Sequence, residues 1–202
     1  MKKFKEKIYQ FISKEIPDNS RVLDLGCGNG ELLDHLITNK SVIGHGIDIK
    51  TDALVKCIEK GIPVIQLNLD NLPLDFPDKS FDFVVLNQTI QEIYKSKEMI
   101  EEILRIGKAG ILGFPNFGYF KVRLSFLFKG RMPMSKQLPY KWFDTPNIHL
   151  LTIKDFKDFC KKENIKIIKQ IYIKKSFFRN KYKKIKYFNN LRAELAIFKI
   201  SK

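Results

Sequence analysis

The sequence predicts an α/β fold built on a doubly wound parallel sheet. Short apolar runs alternate with helical patterns over residues 22–115, and the connections between them are short, as in folds whose parallel strands are joined by helices. The first run, Val22–Leu25, enters a glycine-rich turn that opens a helix. The run Phe81–Leu86 is nearly all apolar, which is typical of a central strand buried on both faces.

The first half of the chain gives clear element boundaries. Residues 4–12 carry apolar side chains at helical spacing, and this N-terminal helix stops before Pro17. A turn at residues 17–20 leads into the first strand. The pattern then predicts a helix from Glu31, a strand at Val42–Ile49, a helix at Asp52–Lys60 and a strand at Val64–Leu67.

The second half continues the alternation and ends in two strands. Thr152 and Asp155 have the spacing of a capping box, which predicts that a helix begins there. A basic segment, residues 174–190, joins the last two strands. The predicted elements are a helix at Lys97–Ile106, a strand at Gly110–Pro115, a helix at Phe120–Phe128, the helix from Thr152, and strands at Ile165–Ile173 and Ala193–Ile200.

Residues 116–151 differ from the rest of the chain. They hold the only tryptophan, Trp142, together with many aromatic residues and several prolines. A long apolar-rich stretch with little regular pattern is uncommon in a compact domain and is typical of a lid or a partner surface. We therefore interpret residues 116–151 as an insertion within one domain that covers residues 1–202, with residues 1–16 as its N-terminal helix.

The composition fits a single globular domain. The chain has 202 residues, of which 44% are hydrophobic and 29% charged. No apolar run approaches the ~18 residues of a membrane span, and the charged start lacks the apolar region of a secretory signal. The cysteines Cys27, Cys57 and Cys160 form no C-x-x-C pair, which argues against a disulfide framework or a zinc site. We expect a cytoplasmic protein with no membrane association and no bound metal.

The net charge of +15 has two interpretations. A strongly basic domain often binds a polyanion such as RNA. A lysine-rich composition also solvates the surface of a protein that binds no nucleic acid. The basic residues are spread along the chain rather than massed, which favours the second interpretation.

The glycine-rich turn predicts a ligand site. Gly26, Gly28 and Gly30 allow the backbone to approach a ligand closely, and the following helix offers unpaired N–H groups at its start. A dinucleotide fingerprint spaces its glycines as G-x-G-x-x-G to hold a pyrophosphate, whereas here G-x-G-x-G follows the carboxylate of Asp24. That anion would repel a pyrophosphate but suits the ammonium and sulfonium groups of S-adenosylmethionine or the ammonium of S-adenosylhomocysteine. A purely structural turn or a site for another nucleotide is the alternative.

Further candidate site residues follow the later strands. Asp48, with Ile49 beside it, ends the second strand, where a carboxylate accepts hydrogen bonds from ribose hydroxyls; a surface aspartate is the alternative. Asn68 and Leu69 follow the third strand and would lie beside the adenine. Asn87–Thr89 follow the fourth strand, at the sheet edge where such folds bind ligands, or form an ordinary loop. The predicted cofactor-binding residues are Asp24, Gly26, Cys27, Gly28, Gly30, Asp48, Ile49, Asn68, Leu69 and Asn87.

No catalytic residue is assigned from the sequence. His149 lies in the irregular insertion, where it would have to reach a substrate proton to act as a general base, and hydrogen bonding within the loop is the favoured interpretation. His45 and His35 are expected to be structural and surface residues. Cys27 is a small residue of the turn, without the electropositive setting that makes a thiol reactive.

Several segments together resemble the MetW family of methionine biosynthesis proteins, a class I S-adenosylmethionine-dependent methyltransferase-like family. The segment RVLDLGCGNGELL at Arg21–Leu33 is shared by methyltransferases in general. The segments PNFG at 115–118 and LPYKWFDTPNIHL at 138–150 are those that single out MetW. The segments Phe81–Gln91 and Val122–Leu124 also match, and the resemblance extends over residues 17–175.

The resemblance implies a Rossmann-like sheet of seven strands whose last strand is antiparallel. After the third strand, the family usually has an aspartate where this chain has Asn68. This difference weakens the adenine contact predicted at that position. The family's cofactor pocket corresponds to Asp24, Gly26, Gly28, Gly30 and Asp48 of this chain.

The resemblance also implies a role in methionine biosynthesis beside the homoserine O-acyltransferase MetX, which activates homoserine. The favoured hypothesis is a subunit that binds S-adenosylmethionine and docks on the acyltransferase through residues 116–149. The first alternative is an active methyltransferase on a small metabolite, since methyl transfer relies mainly on holding the reactants in line. An RNA methyltransferase, suggested by charge alone, is the second alternative.

Overall fold

An eight-stranded sheet forms the centre of the computed structural model, which describes residues 2–134, 140–175 and 182–202. Residues 135–139 of the insertion and residues 176–181 of the basic segment therefore lie outside the described residues. The strands are arranged in the order β3-β2-β1-β4-β5-β8-β6-β7. In chain order they are β1 (Arg21–Leu25), β2 (Ile43–Asp48), β3 (Val64–Gln66), β4 (Phe81–Asn87), β5 (Gly107–Pro115), β6 (Lys166–Lys175), β7 (Tyr182–Lys184) and β8 (Leu195–Ser201).

Helices cover both faces of this sheet. Within the described ranges, none of them is long and apolar enough to cross a membrane. They are α1 (Lys2–Ser13), α2 (Glu31–Lys40), α3 (Thr51–Ile58), α4 (Ser96–Ile106), α5 (Phe120–Lys129), α6 (Ile153–Lys162) and α7 (Asn189–Arg192), with a 3₁₀ turn at Ile90–Glu92.

Two hydrophobic cores lie on opposite faces of the sheet. Val22 of β1 packs in the core that includes α1, α2 and α3, whereas the next residue, Leu23, packs in the core that includes α4 and α6. Val85 and Leu86 of β4 divide in the same way. Successive strand residues point to opposite faces, so a strand that is apolar at every position is buried on both sides.

The strand directions confirm the predicted fold class. Strands β1 to β5 pair with one another in parallel. The last strand, β8, is inserted between β5 and β6 and is antiparallel to both. The doubly wound sheet and its antiparallel last strand are therefore confirmed, and the three-residue β7 adds an edge strand antiparallel to β6.

Strand β5 is longer than the apolar pattern predicts. The pattern places its start at Gly110, but the strand begins at Gly107, directly after α4. Gly107 pairs with Phe81 of β4 at the start of the strand. The exposed Lys108 interrupts the apolar run, and its Nζ donates to Asp82 at 2.8 Å. Pairing with β4 therefore makes these first residues part of the strand, although the apolar pattern of the sequence does not indicate it.

The helix α6 begins with the capping box that the sequence predicts. The Asp155 N–H donates to Thr152 Oγ1 at 3.2 Å, and the Thr152 N–H donates to Asp155 Oδ2 at 2.9 Å. Removing the hydroxyl leaves a helix N–H group without its partner. We expect Thr152→Ala to lower the free energy of unfolding by about 1 kcal/mol in urea denaturation.

A matched substitution tests that explanation of the cap. Thr38 is an exposed residue inside α2, where alanine is the better helix former. Thr38→Ala should leave stability unchanged or raise it slightly. An equal loss in the two variants would contradict a specific role of the Thr152 hydroxyl.

Candidate functional site

The three glycines of the turn between β1 and α2 all have left-handed backbone conformations. Their φ angles are +72° at Gly26, +54° at Gly28 and +70° at Gly30, a region that other residues rarely adopt. A Cβ added at Gly26 would stand 2.6 Å from Thr89 Oγ1, so only glycine fits there. A Cβ added at Gly28 would meet nothing within 4 Å. Gly28 therefore faces open space, and the turn leaves room for a ligand at that point.

The N–H groups of this turn are largely bonded within the protein. Gly26 and Cys27 both donate to the Ile47 carbonyl, at 2.8 and 2.9 Å, and Gly30 donates to the Cys27 carbonyl at 3.0 Å. The Gly28 N–H donates to Asp48 Oδ2 at 2.8 Å. A phosphate-binding loop must offer such groups to its ligand. The geometry therefore supports the interpretation that this turn is not a pyrophosphate cradle.

Asp24 is a buried carboxylate in the floor of a crevice beside the turn. Its side chain is 3% exposed, and it lines a cavity of about 210 Å³. Burial, and next the charge of Asp48, raises the pKa of Asp24 to about 8. In the part of the chain that the structure describes, no group donates a hydrogen bond to this carboxylate. A buried acceptor without a donor fits a cationic group of a ligand.

The residues after β4 form another wall of the same crevice. Asn87 and Gln88 line the cavity together with the turn residues Gly26, Cys27 and Gly28. Gln88 has φ +61°, a strained conformation for a residue with a side chain. The Gln88 N–H donates to the Gly113 carbonyl at 2.6 Å, which holds the strained residue in place. The structure thus brings together the motifs that follow β1 and β4.

Of the residues predicted to contact the adenosine part of the ligand, the structure places some next to the crevice and others away from it. Asp48 lies next to the crevice, because it accepts the Gly28 N–H, and its Oδ1 accepts the Lys50 N–H at 2.9 Å. Ile49 beside it is exposed. Asn68 is exposed, and its Oδ1 accepts the Asp70 N–H within its own turn. Leu69 is buried in the core with α4, so its side chain points away from an exposed ligand.

Helix α1 supplies crevice residues that the sequence analysis missed. Lys5 and Tyr9, one helical turn apart, line the cavity with Glu31 of α2. Tyr9 Oη and Lys5 Nζ both donate to Glu31 Oε2, at 2.9 and 3.2 Å. The same three residues also border a groove of about 400 Å³ between α1 and α2. The i, i+4 spacing of Lys5 and Tyr9 was the available signal, but the sequence does not say what their face of α1 contacts.

The pKa shifts of Tyr9 and Glu31 keep the first residue protonated and the second ionised. Burial raises the pKa of the Tyr9 hydroxyl, and the neighbouring Glu31 raises it further. Burial alone would raise the pKa of Glu31, but the Tyr9 hydrogen bond and the Lys5 ammonium outweigh it and lower that pKa. Tyr9 therefore stays a donor and Glu31 an anion near neutral pH. The three residues therefore form a hydrogen-bonded part of the crevice wall that also borders the groove.

His149 does not lie in the crevice. Its ring Nε2 is 3.2 Å from the Tyr94 carbonyl, and it borders a separate, mostly apolar cavity with Ile100 and Phe156. None of the described residues of the insertion lines the crevice with Asp24. Across the described ranges, no group of three or more His, Cys, Asp or Glu side chains is placed to hold a metal ion.

Sequence comparisons give the chain's relatives. It matches the family model described as "Methionine biosynthesis protein MetW" over residues 6–200. It is 34% identical over 166 residues to the bifunctional methionine biosynthesis protein MetXA/MetW of Rhodopirellula baltica, with 78% of this chain and 27% of that protein covered. The chain thus spans about a quarter of that relative's length. A shorter match joins it to a tRNA (carboxymethyluridine(34)-5-O)-methyltransferase of Arabidopsis thaliana, at 34% identity over 48% of this chain and 24% of that protein.

Structural comparisons find the same fold in several methyltransferases. A SAM-dependent methyltransferase of Thermotoga maritima has a TM-score of 0.68 at 18% identity, covering 94% of this chain and 85% of that one. A SAM-dependent methyltransferase of Archaeoglobus fulgidus has a TM-score of 0.68 at 18% identity, covering 98% and 94%. At such identities the likeness establishes the class I methyltransferase fold alone.

Proposed function

Because the chain belongs to the MetW family of methionine biosynthesis proteins, we propose that it binds S-adenosylmethionine in the crevice and acts with a homoserine O-acyltransferase. The observation that carries the first part is the buried carboxylate of Asp24, which has no donor among the described residues and faces the cavity. A positively charged amino acid conjugated to adenosine matches that site better than a phosphorylated nucleotide does. S-adenosylhomocysteine, which keeps the ammonium group, is expected to bind the same crevice.

The crevice residues have complementary roles toward this ligand. Asp24 accepts hydrogen bonds from the ligand ammonium group, and ion pairing there favours the ionised carboxylate. Each carboxylate oxygen of Asp48 accepts one backbone N–H and keeps a lone pair for a ribose hydroxyl. Gly28, which has no side chain, leaves open space that the ligand can occupy. When bound, S-adenosylmethionine supplies a methyl group activated by its sulfonium centre.

The second part of the proposal concerns the partner. The Rhodopirellula baltica relative carries both MetXA and MetW in its printed name, and this chain matches about a quarter of it. Fusion of two proteins in one organism is typical of proteins that act together elsewhere as separate chains. We therefore infer that this chain is a subunit that reports S-adenosylmethionine level to the acyltransferase, since S-adenosylmethionine is made from methionine.

Calorimetric titration tests both parts. The purified protein is expected to bind S-adenosylmethionine and S-adenosylhomocysteine, and to bind ATP at least about 100-fold more weakly, because the turn N–H groups are already bonded. The acyltransferase of the same organism is then added, and its rate is measured with and without this protein. Failure to bind either adenosyl ligand would refute the first part. Unchanged acyltransferase activity without association would refute the second.

A second candidate function is methyl transfer to a small metabolite. The groove between α1 and α2 adjoins the crevice through Lys5, Tyr9 and Glu31 and offers about 400 Å³, which is within the usual range for a small-molecule site. Incubation with S-adenosylmethionine labelled in its methyl group and extracted metabolites distinguishes the two candidates. Labelled product would establish turnover, and ligand binding without product would favour the regulatory subunit.

A further inference from the structure

Helix α5 leaves most of its apolar side chains in solvent. Val122 is its buried residue, whereas Leu127 and Phe128 are 74% and 77% exposed. Trp142 and Phe143, in the segment 140–150, are similarly exposed and stack edge to face at 5.5 Å. We call the exposed apolar side chains of α5 and of residues 140–150 the aromatic surface. Monomeric proteins rarely expose so many large apolar side chains without a partner.

The two parts of the aromatic surface adjoin each other. Phe117, just before α5, and Met132, just after it, surround one small cavity with Trp142 and Leu150. The Phe117 N–H also donates to the Leu151 carbonyl at 3.2 Å. The segment 140–150 therefore lies beside the residues that flank both ends of α5. The surface is therefore one patch rather than two separate exposed segments.

The charge around this patch is predominantly positive. Residues 120–150 contain one acidic residue, Asp144, against the basic residues Lys121, Arg123, Lys129, Arg131, Lys136 and Lys141. The Lys141 ammonium lies over the Phe143 ring at 5.5 Å. Aromatic residues and arginine are enriched at protein interfaces, whose charged residues are depleted from the centre and lie at the polar rim. The complementary face is acidic at its rim and apolar at its centre.

We propose that the aromatic surface docks an acidic, apolar face of the homoserine O-acyltransferase, and that Gln91 couples this docking to the crevice. This inference rests on the proposed function. The acyltransferase is the occupant that the fused relative of Rhodopirellula baltica supports, because fusion holds two domains at a high effective concentration and so favours contact between them. The positive rim selects an acidic face on that enzyme.

Gln91 lies between the aromatic surface and the crevice. Its backbone carbonyl accepts both the Ile148 N–H, at 2.7 Å, and the His149 N–H, at 3.0 Å. Its buried side chain donates from Nε2 to the Gln88 carbonyl at 2.7 Å. Gln88 itself lines the crevice. One residue thus holds the end of the docking segment and the strained wall of the ligand site.

This connection makes ligand binding and docking energetically linked. A ligand that shifts Gln88 moves the carbonyl to which the Gln91 side chain donates, and with it the anchor of Ile148 and His149. The linkage is reciprocal, so the factor by which the ligand changes partner affinity equals the factor by which the partner changes ligand affinity. The factor itself is typically about 5- to 150-fold.

Affinity measurements on surface variants test the docking site. Leu127→Glu and Trp142→Ala are expected to weaken binding of the purified acyltransferase by about tenfold or more, with unchanged affinity for S-adenosylhomocysteine. Ile58→Glu is the matched control, because Ile58 is a 65% exposed apolar residue on α3. Normal binding by Leu127→Glu and Trp142→Ala would overturn the docking site and leave the proposed function intact. Absence of binding by the wild-type protein would instead refute the partnership itself.

The coupling is tested with Gln91→Ala, which removes the side-chain bond to Gln88 and keeps the backbone carbonyl. The acyltransferase affinity is measured with and without S-adenosylhomocysteine, and the ligand affinity with and without the acyltransferase. Both factors should be equal in the wild type and fall to about 1 in Gln91→Ala, whereas Gln170→Ala on β6 should preserve them. Undiminished coupling in Gln91→Ala would overturn the role of Gln91.

A membrane is the other kind of surface that basic and aromatic residues contact. Vesicles of phosphatidylglycerol are therefore titrated with the same variants. If Leu127→Glu abolishes vesicle binding while leaving acyltransferase binding unchanged, the docking proposal is overturned in favour of a lipid surface. Loss of acyltransferase binding without wild-type vesicle binding supports docking.

Discussion

Replacing Asp24 by asparagine is expected to stabilise the ligand-free protein at pH 8.5 while weakening its binding of S-adenosylmethionine. The wild-type carboxylate has to ionise in a buried site next to Asp48, which raises its pKa to about 8. Asparagine keeps the shape and never ionises. The gain in stability has an upper bound of about 5 kcal/mol, set by a shift of roughly four pKa units. Loss of the charged hydrogen bond should weaken ligand binding by about 10- to 100-fold.

The pH dependence of stability gives the sign of the Asp24 effect. The folded-state pKa lies above the unfolded value of 3.8, so between these values the folded protein holds a proton that the unfolded chain has released. Stability from this group is complete below the unfolded pKa and is lost as the pH rises through about 8. The difference between Asp24→Asn and wild type should therefore be negligible near pH 4 and largest above pH 8. Urea denaturation at several pH values measures it.

Ligand binding should show the opposite trend with pH. The ligand ammonium group favours the ionised carboxylate, so binding below pH 8 requires Asp24 to lose its proton. Wild-type affinity should rise between pH 6 and pH 7.5, and Asp24→Asn should show no such rise. Asp52→Asn, at an exposed position in α3, is the control for a change in net charge. A pH-independent wild-type affinity would contradict the assignment of Asp24 to the ammonium group.

Gly26→Ala is expected to destabilise the protein by about 2–4 kcal/mol. The φ of +72° costs alanine about 1–2 kcal/mol, and the new Cβ would stand 2.6 Å from Thr89 Oγ1. That overlap forces the turn and the residues after β4 apart, at a further cost of about 1–3 kcal/mol. In a Thr89→Ala background, Gly26→Ala should cost mainly the conformational part, because the remaining Cβ of residue 89 would stand 3.2 Å from the new Cβ. Urea denaturation of the four proteins gives the interaction energy.

Gly28→Ala separates strain from ligand contact. Its φ is also positive, but the added Cβ meets no atom of the protein. Its stability cost should be limited to about 1–2 kcal/mol, while its affinity for S-adenosylhomocysteine should fall more than that of Gly26→Ala in the Thr89→Ala background. Unchanged ligand affinity in Gly28→Ala would show that the ligand does not pass over this glycine.

The parts of the candidate site whose position could be predicted from the sequence are local in the chain. The turn between β1 and α2 is specified by glycines and by Asp24 at fixed spacing, so its backbone conformation follows from a few consecutive residues. The wall formed by Asn87 and Gln88 was predictable because strands of a parallel sheet end at one edge. Both segments line the same crevice.

The parts that were missed depend on contacts between distant segments. Lys5 and Tyr9 reach the crevice because α1 packs beside α2, and no spacing rule specifies that neighbour. The position of Leu69 after the third strand predicts a place beside the adenine, but its side chain lies in the core with α4. His149 bonds to the carbonyl of Tyr94, far away in the chain. The aromatic surface was recognised from composition, whereas its link through Gln91 needed coordinates.

The position of β8 has a consequence for synthesis on the ribosome. It separates β5 from β6, and Phe198 stacks on Phe114 of β5 at 5.7 Å. Until residues 195–201 emerge from the exit tunnel, one edge of β5 in the nascent polypeptide has unpaired backbone groups and is prone to aggregation. The yield of folded protein should therefore depend on chaperones during translation. This dependence should be stronger than in proteins whose strands join the sheet in the order in which they are synthesised.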